Sequence, residues 1–283
     1  MGHRLTRLLW PLSLLILPTL FWPQIAWAGR VLAGVDLFTY FYPLRDYVSA
    51  CLRGGQLPLW NPYLFLGVPL LANVQAGVFY PPNLLLAGLP APTAVNWSIL
   101  MHLALAGLGT YLCGRRVFGL GRPGAWTAGA VYALGGFLSA QAEHVNQLAV
   151  SAWLPWLLWL LDRAVPGAGS GPRVRLLPAA ALALLLGVAF LAGHTQAWYI
   201  TVFALGAYLL AQMLWRIGRR GTANPGVASR RGVASRAPIS IGVLAGAVAV
   251  ALALSAAQLL PTLELSALSI RGGGMPYREA ISF

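Results

Sequence analysis

Ala94-Val-Asn-Trp-Ser-Ile-Leu-Met-His-Leu-Ala-Leu-Ala-Gly-Leu-Gly-Thr-Tyr-Leu-Cys113 runs without a formal charge and is followed at once by Gly114-Arg115-Arg116. As a helix, a stretch of this length spans about 30 Å of hydrocarbon, and a pair of arginines directly after it marks a cytoplasmic end. Six more apolar segments lie along the chain: Leu8 to Trp27, Ala125 to Ala140, Val145 to Leu161, Leu176 to Ala192, Ala197 to Trp215 and Ile239 to Leu260. The expected fold class is all-α: a polytopic transmembrane helical bundle of about seven spans.

The composition agrees. Of 283 residues, 58% are hydrophobic and 9% charged, against roughly 25% charged in a soluble domain. All 19 basic residues are arginine and the formal charge is +13. With the N-terminus inside, Arg4, Arg7, Arg115, Arg116, Arg122, Arg163, Arg173, Arg175, Arg216, Arg219, Arg220, Arg230, Arg231 and Arg236 fall in the cytoplasm. Arg30, Arg45, Arg53, Arg271 and Arg278 fall outside. Among the acids, only Asp162 is cytoplasmic, whereas Asp36, Asp46, Glu143, Glu264 and Glu279 are outside. The basic character is therefore a topology signal, and nucleic acid is excluded as a partner. Cys51 and Cys113 form no zinc or CxxC spacing and fall on opposite sides of the bilayer.

One membrane domain over residues 1–283 is expected, in four parts. Residues 1–28 form a first helix; Ala26-Trp27-Ala28 also resembles a signal-peptidase site. Residues 29–93 form a long outer loop in which Pro43 to Arg53 is an amphipathic interfacial helix. Its apolar face holds Leu44, Tyr47, Val48, Cys51 and Leu52, its polar face Arg45, Asp46, Ser49 and Arg53, and Gly54-Gly55 stops it. Proline, glycine and aromatic residues then suggest a re-entrant or interfacial stretch with Trp60, Tyr63 and Tyr80 at headgroup depth. Residues 94–260 form a six-helix bundle. Residues 261–283 are an outer tail, whose ending shortly after Arg271-Gly-Gly-Gly274 suggests a truncated or short member of a longer design. The repeat Gly226-Val-Ala-Ser-Arg230, Gly232-Val-Ala-Ser-Arg236 reads as a low-complexity linker.

No nucleotide-binding, HExxH or GxSxG motif occurs in a supporting context, so the chemistry rests on the few polar side chains. Asp36, beside the aromatic run Phe38 to Tyr42, is a candidate general base, with a helix N-cap as the plain alternative. Glu143-His144 and Gly193-His194-Thr195-Gln196 bring imidazoles to the outer surface. With Asp36 and Glu264 they form a candidate polar pocket, or a divalent metal site. Arg271, with Arg45 or Arg278, is a candidate phosphate ligand; Glu264 and Arg271 alternatively form an ion pair. Trp60 and Asn61 are candidates for stacking on and hydrogen-bonding a sugar, and Asp46 joins the candidate substrate-binding set.

The ordered strings Asp36-Leu-Phe-Thr-Tyr-Phe-Tyr-Pro43, Gly55-Gln-Leu-Pro-Leu-Trp-Asn-Pro62, Gly67-Val-Pro69 and Gln75-Ala-Gly-Val-Phe-Tyr-Pro81 resemble the N-terminal part of YfhO-like bacterial membrane proteins. So do His144 ahead of Trp153-Leu-Pro155, Gly193-His-Thr-Gln196, and Gln258-Leu-Leu-Pro-Thr-Leu-Glu264 with Ser269 and Arg271. That family is similar to C-type glycosyltransferases, which take a sugar from a polyprenyl-phosphate carrier on the outer face of the membrane. The resemblance implies a location in the bacterial inner membrane, an envelope polymer or lipid as acceptor, and Asp36 as the acid of the first outer loop. Known members are longer, with more helices. A transporter or flippase of lipid-linked precursors, or a non-catalytic scaffold, are the alternative expectations.

Overall fold

The computed structural model describes residues 2–165, 173–218, 237–269 and 274, with side chains over 8–165, 173–215, 238–269 and 274. Among these the architecture is helical apart from one two-residue ladder, in which Trp60 faces Pro69 and Asn61 faces Val68. The helices are α1 (Gly2–Phe21), α2 (Pro23–Ala26), α3 (Tyr42–Arg53), α4 (Pro81–Leu86), α5 (Ala91–Arg116) and α6 (Arg122–Leu134). They continue with α7 (Gly136–Ala140), α8 (Val145–Ala164), α9 (Leu176–Leu191), α10 (Thr195–Gly218), α11 (Ala237–Leu254) and α12 (Ala256–Leu268).

Each apolar segment anticipated from the sequence is helical, but the lengths differ from seven uniform spans. Two helices, Ala91–Arg116 and Thr195–Trp215, are long and apolar enough to cross a membrane. A third is reached if Pro238–Leu254 and Ala256–Leu268, bent by 82°, count as one span. Leu8–Phe21 and Leu176–Leu191 are apolar but shorter. The segment Ala125 to Ala140 splits because Gly135 takes an extended conformation (ψ 163°) that no helix continues through. In α8 the polar residues Asn146 and Gln147 at one end and Asp162 and Arg163 at the other lower the apolar content.

Helix α8 is the centre of the bundle. One side packs on α5, where Leu148 and Ala152 meet Ile99, Leu103 and Ala106. The other side packs on α9 and α10 through Leu157, Leu161, Leu186 and Leu205, and α11 joins the same core against α9 through Ala247 and Ala251. Helix α1 is held across α5 and α6 by Leu14, which is 1% exposed. The α5 and α6 backbones approach so closely there that a Cβ on Gly129 would lie 2.6 Å from Gly107 O; small residues permit such contact in membrane bundles.

The stretch over residues 29–93 corrects the solvent-facing polar side expected of its amphipathic helix. Of the supposed solvent face of α3, Asp46 and Arg53 are exposed, whereas Arg45 and Ser49 are buried against the bundle. The following stretch is anchored through its own backbone carbonyls. Leu71 O accepts from Gln258 Nε2 (2.7 Å), Ala72 O from Thr262 Oγ1 (2.9 Å), Gln75 O from Asn146 Nδ2 (2.8 Å) and Ala76 O from Arg45 Nη1 (2.9 Å). Side chains from α12, α8 and α3 thus satisfy main-chain groups that no sheet or helix serves. Tyr80, expected at headgroup depth, is instead buried. Its hydroxyl accepts from Trp153 Nε1 (2.9 Å) and donates to His102 Nε2 (2.6 Å), because His102 Nδ1 donates to Ser98 O.

Candidate functional site

Asp36 opens a single π-helical turn, Leu37–Phe41, that runs directly into α3. It takes helical dihedrals (φ −64°, ψ −34°) and its side chain makes no capping hydrogen bond, so the carboxylate is not consumed by its own helix. Instead Asp36 Oδ2 lies 3.3 Å from His144 Nε2, both side chains being about half exposed. His144 sits at the N-terminus of α8 and likewise makes no side-chain cap. Glu143, one residue earlier, packs its carboxyl on Gly34, where an added Cβ would fall 2.6 Å from it. The two acids therefore occupy neighbouring positions around the chain entry to Asp36.

Asp36 and His144 line a cavity of about 410 Å³ together with His194, Tyr40, Asn73, Gln75, Asn146 and Gln147. Asn73 accepts from Gln75 N (3.1 Å) and donates to the Tyr40 hydroxyl (2.7 Å). Burial and that contact hold Tyr40, its phenol pushed above the usual tyrosine range chiefly by desolvation. Asn146 bridges the wall, its amide donating to Gln75 O and its oxygen accepting from Arg45 Nη2 at 3.2 Å. Phe41 completes the lining, so amides, a phenol and an apolar ring stand around a carboxylate and two imidazoles.

His194 precedes α10 and supplies its cap: Nδ1 accepts from Ala197 N at 3.0 Å. The neutral ring therefore carries its proton on Nε2. Burial, then the neighbouring His144, lower its pKa below the ordinary imidazole value. A group whose folded pKa lies below its unfolded one favours folding fully above the unfolded pKa, about 6.5, and loses that contribution as pH falls below it. Protonation would also forfeit the cap and place a cation at a helix N-terminus. Thermal stability in detergent is expected to fall between pH 7.5 and pH 5, and the slope to be shallower in His194→Asn, whose oxygen still caps. An equal slope in both proteins would remove His194 as the cause.

Arg45, expected as a phosphate ligand, is 7% exposed and donates to Ala76 O and Asn146 Oδ1. It makes no ion pair with a carboxylate among the described residues, and desolvation lowers its pKa to about 10, so it remains charged at neutral pH. Arg45 positions the cavity wall and does not face its contents. Arg45→Met is expected to cost about 2 kcal/mol, from the two buried acceptors it orphans, measured as a lowered midpoint of thermal unfolding. A neutral result would show that relief of the buried charge offsets the lost bonds.

The remaining candidates disperse. Asp46 and Glu264 are exposed and do not line the cavity. Asn61 is buried, its oxygen accepting from Tyr63 N in a local turn (2.9 Å), Trp60 packs on Gly67 and stays half exposed, and neither residue lines the cavity. Gln196 lines a second, mostly apolar cavity of about 270 Å³ that shares Gln147 and His194 with the first. Arg271, and with it the Glu264 ion pair, lies outside the described residues, as do Arg278, Glu279 and the Gly226–Arg236 repeat. Among the described residues no three His, Cys, Asp or Glu side chains converge on a metal position, so the divalent-metal option finds no donor set there. Asn73, Asn146, Gln75, Gln147 and Tyr40 escape sequence reasoning; the one available signal is Asn146-Gln147 at the end of an apolar segment.

No family model, curated protein or solved structure matches this chain. What stands is a helical chain with apolar helices able to cross a membrane and a cavity lined by Asp36 and His144 among amide and aromatic side chains.

Proposed function

We propose that the chain is a glycosyltransferase-like protein of the bacterial inner membrane, with all seven apolar segments embedded, the N-terminus cytoplasmic and the cavity on the outer face. The reading rests above all on one observation: an Asp36 carboxylate released from capping, paired through one oxygen with His144, in a cavity walled by amides. Neutral amides and a phenol complement the hydroxyls of a sugar. The carboxylate accepts the proton of an acceptor hydroxyl, the acceptor oxygen bonds to the anomeric carbon, and the bond from that carbon to the carrier phosphate breaks. Polyprenyl phosphate leaves with the bonding electron pair. His144 holds Oδ2, which directs Oδ1 to the acceptor. Arg45, one side chain behind Asn146, places a fixed positive charge near the phosphate without touching it. The adjoining apolar cavity receives the first isoprene units.

Photolabelling tests the placement. A polyprenyl-phosphate sugar carrying a diazirine near the phosphate should mark peptides that contain residues 36–41, 73–75 and 144–147. Label confined to the cytoplasmic ends of the helices contradicts the reading. The 82° bend between α11 and α12 favours a second reading, a flippase of lipid-linked precursors; in that case donor crosses the bilayer without losing its sugar.

A further inference from the structure

Residues 63–66, Tyr-Leu-Phe-Leu, form the tip of the short hairpin that leaves α3. Three of them are among the most exposed apolar side chains described: Tyr63 is 80%, Phe65 91% and Leu66 105% exposed, whereas Leu64 is 40% exposed. Phe65 and Leu66 also take left-handed backbone conformations (φ 47° and 66°), which cost free energy in any residue with a Cβ. A turn selected only to reverse the chain would place glycine or asparagine there. Here the strained positions carry large apolar groups and turn them outward.

The tip is braced from below. Tyr47 of α3 donates to Trp60 O (2.8 Å) and meets Tyr63 edge to face at 5.6 Å. Asn61 closes the turn onto Tyr63 N. The Trp60 ring covers Gly67 so closely that a Cβ there would fall 2.4 Å from it. The exposed tip is therefore a held feature of the loop.

Two observations say what covers it. Between Arg53 and Arg115 the chain has no Asp, Glu, Lys or Arg, so neither the hairpin nor the stretch that leads from it to α5 brings a charged side chain that burial in hydrocarbon would have to desolvate. Arg53 Nη1 donates to Ala87 O (3.0 Å), tying the end of α3 to the approach of α5, a helix long and apolar enough to cross a membrane. Leu85 and Leu89, on the approach to that span, are exposed as well.

We infer that the tip of this hairpin, Tyr63 to Leu66, inserts into the acyl-chain region of the outer leaflet and anchors the loop that carries Asn73 and Gln75. The inference rests on the membrane reading and not on the transfer chemistry. Tyr63 and Trp60 stay at the headgroup boundary, where amphipathic aromatics are favoured, while Phe65 and Leu66 lie deeper.

Depth-dependent quenching tests it. In a Cys51→Ser, Cys113→Ala background, the full chain carrying Phe65→Cys or Leu66→Cys is labelled with a nitrobenzoxadiazole dye. It is then reconstituted into phosphatidylethanolamine and phosphatidylglycerol vesicles. Phe203→Cys, on the exposed face of α10, marks lipid contact, and Val35→Cys marks the outer loop. Both tip positions should resemble Phe203: blue-shifted emission, quenched several-fold more by acyl-chain nitroxides than by iodide. Iodide quenching that matches Val35 overturns the insertion. Protection from both quenchers, which means that protein covers the tip, overturns it equally. Enzymatic inactivity of the preparation affects neither result.

Discussion

Asp36→Asn is expected to slow sugar transfer by about two to four orders of magnitude, the range attributed to a positioned general base, without moving the thermal unfolding midpoint. The substitution keeps the shape of the side chain, and the amide oxygen still accepts from His144 Nε2–H. Only the capacity to take a proton is lost. Stability should hold because the side chain is half exposed and caps no helix; surface changes of that kind stay within about 0.5 kcal/mol. Initial rates and thermal shifts measured on the same preparation separate the two effects. A variant that transfers normally would return Asp36 to a structural role.

Gly193→Ala is expected to be the most damaging change of a single carbon. Gly193 has φ +91°, and a Cβ there would lie 2.4 Å from Val74 O and 3.0 Å from Asn146 Nδ2. The backbone must leave its conformation, or the 74–76 turn must retreat from α8 and take Gln75 and Asn73 out of the cavity wall. Strain at a left-handed position costs about 1–2 kcal/mol and overpacking about 1–3 kcal/mol, so a loss of about 3 kcal/mol is expected, with transfer reduced alongside. Gly206 in α10 has open space around it, and Gly206→Ala should gain up to about 1 kcal/mol. Equal midpoints for the two variants would show that the contact with Val74 is not tight.

Much of the helical layout was legible, for a physical reason: apolar runs between arginines have few alternatives in a bilayer. Gly135 and the bend at Ser255 were less so, since a helix can break inside an apolar segment without any polar residue marking the place. The amphipathic reading of α3 found the helix but misplaced Arg45, because it treats every arginine as solvent-facing. The guanidinium is buried on one main-chain and one side-chain oxygen that come from distant segments. Asp36, His144 and His194 were visible because ionisable groups are scarce in this chain. Asn73, Gln75 and Asn146 were not, because their role arises only when the carbonyls of the 71–76 stretch meet α3, α8 and α12. Asn61 shows the reverse case: a polar residue beside tryptophan suggested a sugar ligand, and in the structure its oxygen accepts from the backbone of its own turn.

Transfer on the outer face is the central claim, and it is tested most directly in sealed vesicles of known orientation, with labelled polyprenyl-phosphate sugar supplied to one side. Wild-type protein should move label to an envelope acceptor when donor reaches the face that bears Asp36 and His144, and Asp36→Asn should not. Absence of transfer from either side by folded wild-type protein, across the donor sugars tried, would contradict the account.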